Sequence, residues 1–163
     1  MKKRRFFALF LVLGLLVSLL SVPASAFEEI DVDARAALLV EKETGEILYE
    51  KNAHEKNYPA SITKLTVALL VFEAIDAGQL SLDQPITAHE SAFEGLSIYG
   101  STAGIKVGEV LTVEQLLQCM LIVSANEACN ILGETLYGSV DAFVARMNER
   151  AKELGMNDTH FVN

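Results

Sequence analysis

The stretch that decides the fold is Pro59-Ala60-Ser61-Ile62-Thr63-Lys64-Leu65-Thr66-Val67-Ala68-Leu69-Leu70-Val71-Phe72. Ile62, Leu65, Leu69, Phe72 and Ile75 recur at helical spacing, and Val67, Ala68, Leu70 and Val71 add apolar bulk on the other faces. Gly78 marks the end of the pattern. A helix this apolar predicts the buried centre of a domain. Ser61 and Lys64 stand three apart at its start, so their side chains share one face. A Ser hydroxyl is a poor nucleophile until a base takes its proton. A Lys amine can be that base where burial or a neighbouring cation lowers its pKa, and Lys64 is flanked by Ile62, Leu65 and Val67. The helix dipole disfavours a cation in the first turn and favours an oxyanion beside the Ser61 N–H. The same spacing also suits an N-cap Ser and a Lys that snorkels to water. Ser-x-x-Lys alone therefore leaves both readings open.

Upstream, Arg35 to Lys42 is a short apolar run bounded by charges, and Ile47 to Lys51 is a second strand candidate. Glu43-Thr44-Gly45-Glu46 between them is a turn, which predicts a β-hairpin. Downstream, Asp83 to Tyr99 is irregular. Thr112-x-x-Gln115 is a capping-box signature that opens a helix through Leu116, Leu117, Met120 and Leu121. Ser124-Ala125-Asn126 interrupts it, and Glu127 to Tyr137 resumes helix. Gly138-Ser139 breaks the chain again before an amphipathic helix from Val140 to Leu154, closed by Gly155. The order predicts an α/β (α+β) fold, with an N-terminal hairpin followed by an all-helical block.

The first 26 residues read as an address rather than a fold. Lys2 to Arg5 are cationic, Phe6 to Leu20 carry no charge, and Ala24-Ser25-Ala26 offers a small-x-small cleavage site. This predicts a signal peptide over 1–26 and a mature chain over 27–163. An uncleaved anchor is the alternative, although spanning a bilayer takes about 20 apolar residues. Loss of Lys2 to Arg5 leaves nine of the 13 basic residues against 22 acidic ones, a net charge of −13. Such a body repels phosphate backbones, which argues against nucleic acid as a partner. His54, His89 and His160 are scattered, and Cys119 and Cys129 lack zinc-ligand spacing, so neither a metal nor another cofactor is expected. Both cysteines sit in apolar stretches and read as small buried hydrophobes, with a disulfide between them as the alternative.

Ser-x-x-Lys opening a long apolar helix, then Ser-x-Asn about 60 residues later between helices, resembles a known pattern of penicillin-binding proteins and β-lactamases. Over nearly all of the chain after Ala26 the resemblance is to serine-type D-alanyl-D-alanine carboxypeptidases, the low-molecular-weight penicillin-binding proteins. Tyr58-Pro59-Ala60-Ser61-Ile62-Thr63-Lys64-Leu65 looks like their nucleophile motif, and Ser124-Ala125-Asn126-Glu127-Ala128 like their second motif. Gly108-Glu109, Leu111-Thr112-Val113 and Asn157-Asp158-Thr159-His160-Phe161 resemble the flanking stretches. The resemblance implies a β-lactamase/transpeptidase-like fold. It implies Ser61 as the acylated nucleophile, Lys64 as the general base, Ser124 as a proton relay and Asn126 as the group that holds the substrate amide. Peptidoglycan stem peptides ending in D-Ala-D-Ala would be substrates and β-lactams covalent inhibitors. The setting would be the periplasm or the outer face of the cytoplasmic membrane.

The chain departs from that pattern in one large respect. The family's Lys-Thr-Gly strand, which recognises the substrate carboxylate, is absent. The sequence is therefore expected to be the N-terminal part of a longer protein. The remaining strands of the antiparallel sheet, and any C-terminal segment for a membrane surface, would lie outside it. On this reading residues 27–163 alone are expected to leave apolar surface uncovered and to hydrolyse nothing at a useful rate. Two rival readings stand beside it. A non-catalytic exported module that binds peptidoglycan or a partner would account for the missing motif. A class A-type β-lactamase shares the first two motifs, but no Glu-x-x-Leu-Asn follows Glu127.

Overall fold

The computed structural model describes residues 31–163, so the expected signal peptide lies outside the described residues. Contacts divide the chain into two units, one ending at Asn57 and the other spanning Tyr58–Asn163.

The first unit holds the expected hairpin. β1 (Ala37–Val40) pairs antiparallel with β2 (Ile47–Lys51), with a register irregularity between Leu39 and Val40. The turn works because Gly45 takes φ +74°, a left-handed conformation that costs a residue without Cβ little. Glu41 fastens it: its carboxylate accepts from the Glu43 and Thr44 N–H groups and from the Thr44 hydroxyl. Leu38, Leu39, Ile47 and Leu48 are all exposed, so neither face of the ribbon is covered by its own unit. That is the uncovered apolar surface the sequence led us to expect.

The second unit is built on four helices: α1 (Lys64–Asp76), α2 (Val113–Ile122), α3 (Asn126–Tyr137) and α4 (Val140–Glu153). It is not all helical. β3 (Pro85–Thr87), inside the stretch that reads as irregular, pairs antiparallel with β4 (Val110–Thr112), which runs into the cap of α2. Strands of three residues are too short to register as period-two alternation. The capping box at α2 forms in full: Gln115 N–H donates to the Thr112 hydroxyl, and Thr112 N–H to the Gln115 side chain. Ser139 caps α4 through the Ala142 N–H.

α1 lies in the core, but not by the stripe its periodicity suggested. Val67, Ala68, Leu70, Val71 and Ala74 are the buried residues, while Ile62 just ahead of the helix, Leu65 and Phe72 are exposed. When nearly every position is apolar, spacing alone cannot tell the inner face from the outer one. At the far end of α1, Glu73 accepts from two nitrogens of Arg150 on α4, at 3.0 and 2.7 Å. Asn148 closes the end of the chain by exchanging hydrogen bonds with the Phe161 backbone.

α3 and α4 meet where a side chain would not fit. A Cβ on Gly133 would stand 2.3 Å from the Phe143 ring, and Phe143 stacks on Tyr137 with ring centroids 5.8 Å apart. Helix propensity alone favours Gly133→Ala by about 1 kcal/mol. Overpacking a filled core costs about 1–3 kcal/mol, so the clash wins. Gly133→Ala is therefore predicted to lower the unfolding free energy in denaturant titration, and Phe143→Leu in the same chain to restore part of the loss. A more stable G133A variant would contradict this packing.

Candidate active site

Ser61 does not lie in α1. It sits in a 3-10 turn, Ala60–Thr63, that leads into it, and Ala60 enters that turn at φ +48°. Ser124 stands between α2 and α3 at φ +61°. Two of the three non-glycine residues with positive φ among those described thus lie in or beside the two motifs. Strain of this kind costs on the order of 1–3 kcal/mol and persists only where the surroundings impose it. Neither sequence motif signals it, since Ala and Ser are not left-handed formers.

The strained turns bring the four expected side chains together. The Ser61 and Ser124 hydroxyls are 2.8 Å apart. Lys64 Nζ donates to Asn126 Oδ1 at 2.8 Å and reaches Ser61 Oγ at 3.4 Å. Ser61 itself is exposed, while Lys64, Ser124 and Asn126 are half-buried. The expected apolar packing around Lys64 is only partly present: Val67 is buried, but Ile62 and Leu65 are 67% and 63% exposed. The ammonium is held instead by neutral oxygens, and among the described residues it forms no ion pair. Lys64 taking the Asn126 oxygen leaves the Asn126 Nδ2 group as a donor for something else.

The backbone around Asn126 is fixed on two sides. Ala125 N–H donates to Cys119 O at 3.0 Å, and Asn126 N–H to Ser101 O at 2.9 Å. Gly100 completes the seat, because a Cβ there would stand 2.7 Å from Asn126 Nδ2 and 3.0 Å from Ser97 O. Its φ is ordinary, so room rather than backbone freedom requires glycine. Beside Asn126 opens a recess of about 290 Å³, lined in part by Phe93, Leu96, Ile98, Thr102 and Lys106. The sequence singled out neither Gly100 nor this loop.

The remaining candidates are inert. Cys119 and Cys129 are free and half-buried. Burial pushes the Cys129 thiol up to about 11, with the Lys64 ammonium pulling the other way, and burial also raises Cys119. Such thiols pack rather than react. Among the described residues no cluster of three or more His, Cys, Asp or Glu side chains is placed to hold a metal ion, and no helix is long and apolar enough to cross a membrane.

Comparison with known proteins gives a consistent picture. A family profile described as D-alanyl-D-alanine carboxypeptidase matches residues 23–163. The D-alanyl-D-alanine carboxypeptidase DacF of Bacillus subtilis is 37% identical over 155 residues, which cover 90% of this chain and 39% of the relative. The crystal structure of the carboxypeptidase DacD from Francisella tularensis superposes with a TM-score of 0.77 at 38% identity, covering 83% of this chain and 32% of that one. The ampicillin-bound penicillin-binding protein D2 of Listeria monocytogenes superposes with a TM-score of 0.70 at 34% identity, covering 84% and 53%. The chain therefore spans about two fifths of the Bacillus relative and a third to a half of these solved chains.

The seat of Asn126 is testable. Gly100→Ala is predicted to displace the Asn126 side chain and break its hydrogen bond to Lys64, at a cost of about 1 kcal/mol. The side-chain amide resonances of Asn126 in an ¹⁵N-labelled sample report the displacement. Unchanged resonances in G100A would show that the seat is looser than described.

Proposed function

The chain belongs to the D-alanyl-D-alanine carboxypeptidase family, and from that premise we propose that the gene product carrying it is a serine-type carboxypeptidase of peptidoglycan stem peptides. The observation that carries the proposal is the single hydrogen-bonded cluster of Ser61, Lys64, Ser124 and Asn126, assembled from segments about 60 residues apart.

In this reading Ser61 Oγ attacks the carbonyl carbon of the terminal D-Ala-D-Ala bond. Its proton passes to Lys64, in its neutral form, at the 3.4 Å contact. Asn126 Nδ2 donates to the substrate's peptide carbonyl and holds the chain against the nucleophile. The Ser124 hydroxyl, 2.8 Å from Ser61 Oγ, gives its proton to the leaving amine and recovers one from Lys64. The C–N bond breaks, D-alanine leaves, and Ser61 remains as an ester that water then cleaves. A β-lactam acylates Ser61 by the same attack, its ring C–N bond opening while the amine stays attached to the acyl group. The cationic and apolar N-terminal pattern and the family membership support a setting in the cell envelope, with export across the cytoplasmic membrane.

Two variants test the roles. In the gene product carrying this chain, fluorescent penicillin is predicted to form a covalent adduct that peptide mass spectrometry locates on Ser61. Ser61→Ala should abolish it, and Lys64→Ala should slow its formation about 10²–10⁴-fold, the usual contribution of a positioned base. No adduct on the wild-type protein, or an adduct that persists in S61A, would refute the assignment.

A further inference from the structure

Glu127 is the one buried charged side chain among the described residues, 2% exposed. It follows Asn126 directly, in the first turn of α3, and it has no ion-pair partner among the described residues. A buried carboxylate without a cation is costly unless hydrogen bonds replace its water. Here they do. Glu127 Oε1 accepts from the Thr102 hydroxyl at 2.7 Å and from the Ala103 N–H at 2.8 Å. Thr102 Oγ1 in turn accepts from the Gly104 N–H at 2.8 Å, so the loop that meets the carboxylate is itself closed. Burial pushes the Glu127 carboxyl up, yet the Thr102 hydroxyl and the backbone N–H groups around it hold it below the ordinary glutamate range. The position near the helix N-terminus favours the same charge.

The loop that Glu127 grips is the loop that seats Asn126. Ser101 O accepts the Asn126 N–H, and Gly100 stands against Asn126 Nδ2. We propose that Glu127 is a positioning residue: its buried carboxylate clamps loop 100–104 onto the first turn of α3 and, through Gly100 and Ser101, fixes the direction in which the Asn126 amide presents Nδ2 to substrate. Glu127 forms no hydrogen bond or ion pair with Ser61 or Lys64, and in this role it takes no part in proton transfer. Its neighbours explain why it is an acid: two donors converge on one oxygen, and an apolar residue would leave both unpaired. The proposal rests on Asn126 being the substrate-holding amide.

The test separates the clamp from the function it serves. In the gene product carrying this chain, two readouts are taken on Glu127→Ala, Glu127→Gln and Thr102→Val: the rate constant for acylation by benzylpenicillin, and the side-chain amide resonances of Asn126. Glu127→Ala is expected to lower acylation about 10–100-fold, the scale set by misplacing a reacting group by an ångström, and to shift the Asn126 resonances. Glu127→Gln keeps an acceptor oxygen and should recover most of the rate with little shift. Thr102→Val removes one donor and should fall between, which keeps the proposal falsifiable if E127A does not fold. Wild-type acylation and unshifted Asn126 resonances in both E127A and T102V would overturn it. So would E127Q failing as badly as E127A. If the wild-type protein forms no adduct at all, the carboxypeptidase reading fails, while the resonance shift still decides whether the clamp exists.

Discussion

Two hydrogen bonds join the two halves of the site. Lys64 stands at the head of α1, and Asn126 at the head of α3, 62 residues further along the chain. The 2.8 Å contact between them, with the Ser61–Ser124 contact beside it, sets two independent helix starts in one geometry. Everything the site can do chemically depends on that geometry, because neither motif brings both hydroxyls, the ammonium and the amide together by itself. The core below, built from the buried face of α1 against α2, α3 and α4, determines where the two helix heads point. The last ångström is set by the polar contacts on top.

The cluster also explains where strain is tolerated. Ala60 and Ser124 both take left-handed backbone next to the groups they present, and both precede helices anchored in the core. A relaxed turn at either place would carry its hydroxyl away from the other. Gly100 adds a second kind of constraint, an absence of volume that lets the loop backbone reach the Asn126 amide. Stability is thus given up locally where the side chains must converge, and recovered in the helical packing beneath them.

Much of this was legible in the sequence, for identifiable reasons. Gly45 between two apolar runs marked the hairpin, and Thr112 with Gln115 marked the start of α2, because turns and caps are decided by a few local residues. The four expected site residues are named by resemblance and spacing, since Ser-x-x-Lys and Ser-x-Asn are short local patterns. What escaped depends on tertiary context. Which face of α1 is buried is not legible, because its apolar residues go almost all the way round. β3 and β4 were missed because three-residue strands carry no period. The buried Glu127 was noted only as part of a motif, since nothing local says that its carboxylate turns inward to meet residues 102 and 103.

The claim that matters most is that Lys64 and Asn126 are energetically coupled across the two motifs. A double-mutant cycle measures this directly, by comparing the unfolding free energies of wild type, Lys64→Ala, Asn126→Ala and the double variant. Contacting residues in one network couple by about 0.5–3 kcal/mol, and a value of about 1 kcal/mol or more is expected here. Additive effects, with a coupling indistinguishable from zero, would mean that the two helix heads are placed independently and that the site is not the unit described.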